Sequence, residues 1–129
     1  MKRFAIVLAC SALVAGLAMW NQPSAQADDA CGEKGQPACP LQGWMEKNVQ
    51  EPMDKGDLKA VGKALEKAAA FAPDPKWNDG DKGWSKLAKE GAAAAAAGDE
   101  KAAKKSCKTC HKAWRKQYKE KFRKKAVPN

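Results

Sequence analysis

The sequence predicts an all-α chain, an antiparallel four-helix bundle, on three observations. Apolar residues recur at helical spacing in four separate stretches. Turn chemistry separates these stretches at Gly56-Asp57, Pro73-Asp74-Pro75 and Gly98-Asp99. No segment alternates apolar and polar residues with the period of two that a half-buried strand needs. Short connections between such helices favour antiparallel neighbours.

The first helix is expected over residues 40 to 54. Pro40 suits the first helical turn, where an amide donor has no partner to lose. Leu41, Trp44, Met45, Asn48 and Val49 then fall at i, i+3, i+4, i+7 and i+8. Pro52 is expected to kink or terminate this helix, because its ring clashes with the preceding turn. Gly56 supplies a stop and Asp57 a cap for the next helix. That second helix, over residues 58 to 71, gathers Leu58, Val61, Leu65, Ala68 and Ala69 on one side.

Residues 72 to 81 read as a surface crossover pinned by Trp77. The third helix, over residues 82 to 97, carries Trp84, Leu87, Ala88 and Gly91, followed by Ala92 to Ala97. Alanine is the strongest helix former, and its small side chain lets another helix or a flat macrocycle approach closely. Gly98-Asp99 repeats the stop and the cap. The fourth helix, over residues 100 to 124, is the longest. Its stripe runs Ala103, Cys107, Cys110, Trp114, Tyr118, Phe122, with lysines and arginines on the other faces. Past Arg115 this stripe is expected to overhang the shorter helices, where a homodimer, the first helix or the leader would cover it.

Residues 1–27 have the form of a signal peptide. Lys2 and Arg3 precede an apolar run from Phe4 to Trp20, and Ala25-Gln26-Ala27 is a small-residue cleavage site. The apolar run is near the lower length limit of a membrane span, so an uncleaved anchor is the alternative. Cleavage delivers residues 28–129 to the periplasm. There an oxidising environment favours a disulfide between Cys31 and Cys39, within an irregular leader over residues 28–40. The four-helix domain is expected over residues 41–125, and 126–129 form a tail.

Charge is unevenly divided. Residues 101–129 hold twelve Lys or Arg against the single Glu120, whereas residues 28–100 hold ten basic and fourteen acidic residues. The basic surface therefore sits on the fourth helix and suits acidic partner proteins, with an anionic membrane surface as a second contact. Export argues against nucleic acid.

The chemistry-bearing motif is Cys107-Lys108-Thr109-Cys110-His111, the C-x-x-C-H pattern of haem c attachment. Two thiols at this spacing form thioethers to the two haem vinyl groups, and the adjacent imidazole reaches the iron. On a helix the three residues share a face, at i, i+3 and i+4. A redox dithiol or half of a zinc site is the competing reading, but the chain has one histidine and no strand-period segment beside the motif. The core also asks for such a group: between Leu41 and Asn129 there are only four Leu and three Val. A haem buried between helices would supply apolar surface that these side chains lack.

These parts resemble the class II c-type cytochromes, the cytochrome c′ group and its low-spin relatives. The likeness rests on Gln42-Gly43-Trp44-Met45 in the first helix, the alanine-rich third helix ending in Gly98-Asp99, and Cys107 to His111 followed by Arg115. The resemblance implies a four-helix domain with one haem c on the last helix, Cys107 and Cys110 as thioether residues and His111 as proximal iron ligand. It further implies Arg115 near the proximal imidazole or a propionate, and Met45 as distal ligand; Met53, the other methionine of residues 28–129, is the alternative ligand. His/Met ligation implies a single-electron carrier between redox partner proteins, not an enzyme. A sixth position without a protein ligand implies NO or CO binding instead. A haem-free metal-binding or structural helical bundle is the third alternative.

Overall fold

The computed structural model describes residues 30–128, so the signal peptide expected at residues 1–27 lies outside the described residues. Four helices and no strand form among the described residues. Helix α1 is built of three segments without a break: α-helix Pro40–Met45, a π turn Glu46–Gln50, and α-helix Glu51–Asp54. The remaining helices are α2 (Leu58–Ala68), α3 (Trp84–Ala96) and α4 (Glu100–Gln117), the last continued by a π turn Tyr118–Phe122.

Local sequence explains most boundaries. Gly56 takes φ +73°, in the left-handed region where glycine has no Cβ penalty. The Gly56 amide donates to Met53 O at 3.1 Å and the Asp57 amide to Pro52 O at 2.9 Å, which satisfies the last carbonyls of α1. Asp57 Oδ1 then accepts from the Ala60 amide at 3.0 Å and opens α2. Gly98 and Asp99 repeat both moves: Asp99 N donates to Ala94 O at 2.9 Å, and Asp99 Oδ1 accepts from Ala102 N at 2.8 Å.

Helix α1 reaches Asp54 as expected, with Pro52 in its last turn, while the end of the second helix and the surface course of the crossover are corrected. The Glu51 amide reaches back five residues to Glu46 O, and this widened turn places the ring of Pro52 just after an extra residue has shifted the carbonyls. Helix α2 ends at Ala68 because the chain tightens there: the Ala70 amide donates to Lys67 O and the Phe71 amide to Ala68 O. The segment after it does not lie on the surface throughout, since Pro73 and Trp77 are buried and Pro75–Asn78 forms a 3-10 turn.

Helix α2 packs on α3 and α3 on α4, while the π turn of α1 packs on α2. Small residues set the spacing. A Cβ on Gly62 would lie 3.3 Å from Ala92 O, and one on Gly91 would lie 3.0 Å from Leu65 Cδ1 and 3.2 Å from Ser106 Oγ. Seven of the sixteen buried apolar residues described are alanines, so α2, α3 and α4 approach closely without filling much volume. One apolar cluster joins Val49, Met53, Val61, Leu65 and Ala103; a second joins Leu41, Trp77 and Trp84.

The aromatic end of α4 does not overhang. Tyr118 and Phe122 pack against the Leu41, Trp77 and Trp84 cluster. The Tyr118 hydroxyl donates to Arg123 O at 3.2 Å, and the Leu41 and Gln42 amides at the start of α1 lie beside it. The leader folds over the same end, closed by a Cys31–Cys39 disulfide. Arg123 holds it: Nη1 donates to Cys31 O at 3.2 Å and Nη2 pairs with Glu33 Oε1 at 2.6 Å. Lys125 Nζ donates to Pro73 O at 2.5 Å and ties the tail to the α2–α3 connection.

Candidate cofactor cavity

Between α1 and α4 lies a cavity of about 450 Å³, lined mainly by apolar surface. This is a size ordinary for a small-molecule or cofactor site. Met45, Glu46 and Val49 of α1 form one wall, and Cys107, Cys110, His111 and Arg115 of α4 another. Leu65, Ala68, Trp77, Trp84, Leu87 and Ala88 supply apolar surface between them, and Gly32 and Cys39 of the leader close one end.

Helix α4 presents its motif from a held position. One residue before Cys107, Ser106 Oγ donates to Leu87 O at 2.5 Å and joins α4 to α3. Three residues after His111, Trp114 Nε1 donates to Lys82 O at 2.9 Å. Thr109 points its hydroxyl back to Lys105 O at 3.0 Å and takes no part in the cavity lining. The motif is thus anchored on both sides by hydrogen bonds to other elements.

The protonation states follow from burial. Cys107 and Cys110 are free thiols. Burial raises the Cys107 pKa, and burial with the neighbouring Cys107 pushes that of Cys110 up to about 12. Both therefore stay protonated at neutral pH. An activated redox dithiol shows the opposite shift, because its thiolate is stabilised by nearby positive charge. Partial burial and then the Arg115 charge lower the His111 pKa, although the residue as a whole is exposed. The neutral imidazole, with a free lone pair for a metal, is thereby favoured.

The two methionines are separated by the fold. Met45 is half-buried, lines the cavity and packs against both apolar clusters. Met53 is 6% exposed in the Val61 and Leu65 cluster and does not line the cavity. Arg115 stands exposed at the rim. Sequence reading did not find Trp77, Trp84, Gly32 and Cys39 as lining residues. Trp77 carried a signal as a buried pin, whereas the leader glycine and cysteine carried none.

The residues suit a covalently attached haem on the counts that side chains can express. Two free thiols and an imidazole stand on one face of a helix, the cavity walls are apolar, and a thioether side chain belongs to another wall. Comparison with protein-family models, with curated proteins and with solved structures finds no match to this chain.

Proposed function

We propose that this protein is an exported monohaem c-type cytochrome of class II type, an antiparallel four-helix bundle that carries single electrons between redox partner proteins. The observation that carries the reading is the convergence of Met45, Cys107, Cys110, His111 and Arg115 on one apolar cavity. Residues seventy positions apart in sequence share it, and one end of that span is a C-x-x-C-H motif. Haem c held there supplies an iron centre that takes up and releases one electron.

In this reading Cys107 and Cys110 would hold the haem, each neutral thiol adding its S–H across one vinyl group to give a thioether. His111 offers a neutral ring nitrogen to the iron from the next residue of α4. Met45 offers its thioether from α1. Arg115, one turn beyond His111, supplies a positive charge at the rim that suits a propionate. The apolar walls would limit the water around such a centre and so favour its less charged, reduced state.

The test is an absorption spectrum of protein exported with the haem c attachment machinery. A low-spin spectrum whose chromophore stays with the chain in denaturant is the expected result. A ferrous high-spin spectrum that shifts with CO would replace the carrier by a five-coordinate NO- or CO-binding protein. A chain with no covalent chromophore would overturn both readings in favour of a haem-free metal-binding or structural bundle.

A further inference from the structure

The cations of α4 are not spread around the helix. Lys101, Lys104, Lys105, Lys108, Lys112, Arg115, Lys116 and Lys119 fall at i, i+3, i+4, i+7, i+11, i+14, i+15 and i+18, so they share one side. All eight are exposed. The ridge borders His111, and His111, Arg115 and Lys119 line the rim of the cavity. At one end Lys101, Lys104, Lys105 and Lys108, together with Glu100, enclose a second, shallow depression.

Little inside the chain neutralises this ridge. Lys104 pairs with Glu100, Lys116 lies 3.9 Å from Glu120 Oε1, and Lys119 feels the charge of Glu33. Lys101, Lys105, Lys108, Lys112 and Arg115 form no ion pair among the described residues. Like charges repeat at i, i+4 from Lys101 to Lys105, Lys104 to Lys108, Lys108 to Lys112 and Lys112 to Lys116, which weakens a helix. Stability alone does not account for the pattern.

We infer that this ridge is the docking surface for an acidic protein partner, seated along α4 beside the mouth of the cavity. As an electron-exchange surface it rests on the cytochrome reading above; as a binding surface it stands on charge alone. An anionic membrane fits less well. A helix lying in a lipid interface needs an outward apolar face to insert. Here the apolar side of α4 is turned to the cavity and to the Trp77 and Trp84 cluster. What α4 shows outward is a line of charge one helix wide, which matches a row of carboxylates on another protein.

Binding of the mature, full-length protein to poly-L-glutamate, followed by tryptophan fluorescence, tests the surface. K105E/K108E/K112E is compared with K59E/K63E/K67E, which makes the same change in net charge on the exposed side of α2. Circular dichroism checks that both variants fold. The ridge variant is expected to lose about tenfold or more in affinity, the α2 variant less than about twofold, and wild-type binding to weaken with added salt. Equal losses in the two variants, or salt-independent binding, would overturn the docking surface. So would tighter binding to phosphatidylglycerol vesicles than to poly-L-glutamate.

A second arm uses the reduced holoprotein, which gives one electron to hexacyanoferrate(III), an anion, or to tris(phenanthroline)cobalt(III), a cation. The ridge variant should slow the first by about tenfold and not the second. Equal rates with wild type would overturn the ridge as the electron-exchange surface. A preparation without chromophore defeats the cytochrome reading, and the poly-L-glutamate arm still decides the surface.

Discussion

The indole of Trp77 lies flat on that of Trp114, with ring centroids 4.9 Å apart and planes 14° from parallel. Trp77 comes from the connection between α2 and α3, and Trp114 stands one turn beyond Cys110 on α4. Phe122 meets Trp77 edge-on at 5.3 Å and Trp84 meets it tilted at 5.9 Å. A residue outside the four helices therefore holds three aromatic rings together at one end of the cavity. Offset stacks and edge contacts of this kind add to what area burial alone supplies.

Trp77→Ala should cost about 3–5 kcal/mol of unfolding free energy, since the side chain is only 2% exposed and leaves a cavity among rigid rings. Urea denaturation measures it. Lys76→Ala, an exposed neighbour on the same turn, should stay within about 0.5 kcal/mol. Equal effects would show that the turn and not the stack carries the stability.

Met45→Ala and Met53→Ala should separate ligation from packing. Under the proposed function Met45→Ala turns a six-coordinate absorption spectrum high-spin. Met53→Ala should leave the spectrum alone and cost about 2–5 kcal/mol, as truncation of a buried methionine does. The reverse assignment of the two effects would exclude Met45 as ligand.

Tyr118 is the only tyrosine of the chain, so its titration can be read directly near 295 nm. Burial raises its pKa, with the nearby Gln42 and Leu41 amides and Arg123 opposing. A folded pKa above the unfolded value of about 10 means that the unfolded state loses its proton first. The contribution to stability is thus fully present below that pH and is lost as pH rises through the folded pKa. Tyr118→Phe should remove this alkaline dependence and cost about 1 kcal/mol from the hydrogen bond to Arg123 O. An unchanged alkaline midpoint in the variant would sink the assignment.

Gly91→Val should destabilise by about 1–3 kcal/mol through overpacking, because α3 already touches Leu65 on one side and Ser106 on the other. Thermal unfolding measures it. Gly35→Ala tests a different cause. No atom lies within 4 Å of the added methyl, so any loss there comes from its φ of +84°.

Local chemistry made much of the fold legible. Gly56-Asp57 and Gly98-Asp99 marked two helix boundaries because a left-handed glycine and a capping carboxylate act on their own neighbours. The buried stripe of α2 followed from spacing alone, with Val61, Leu65, Ala68 and Ala69 all inside. Pro52 lies within two residues of the end of α1, as its ring chemistry suggests, whereas the π turn before it carries no local signal because it depends on how α1 packs against α2. Met45 and Met53 both sit on α1 near apolar neighbours, and only the packed helix separates a cavity wall from a core position. The leader's part in closing the cavity depends on Arg123, ninety-two residues from Cys31, and no local pattern carries a contact of that range.

The Cys31–Cys39 bridge also has a bearing on how the chain survives its own oxidation. Four cysteines permit three complete pairings, and two of these would cross-link Cys107 and Cys110 to the leader. Closing a loop between residues eight apart costs far less chain entropy than joining either of them to α4. Under the proposed N-to-C export the leader pair would emerge before α4, and its closure would remove the two other thiols of the described residues able to scramble with the motif. The leader is in this sense a sorting device: once Cys31 and Cys39 hold each other, neither can capture Cys107 or Cys110.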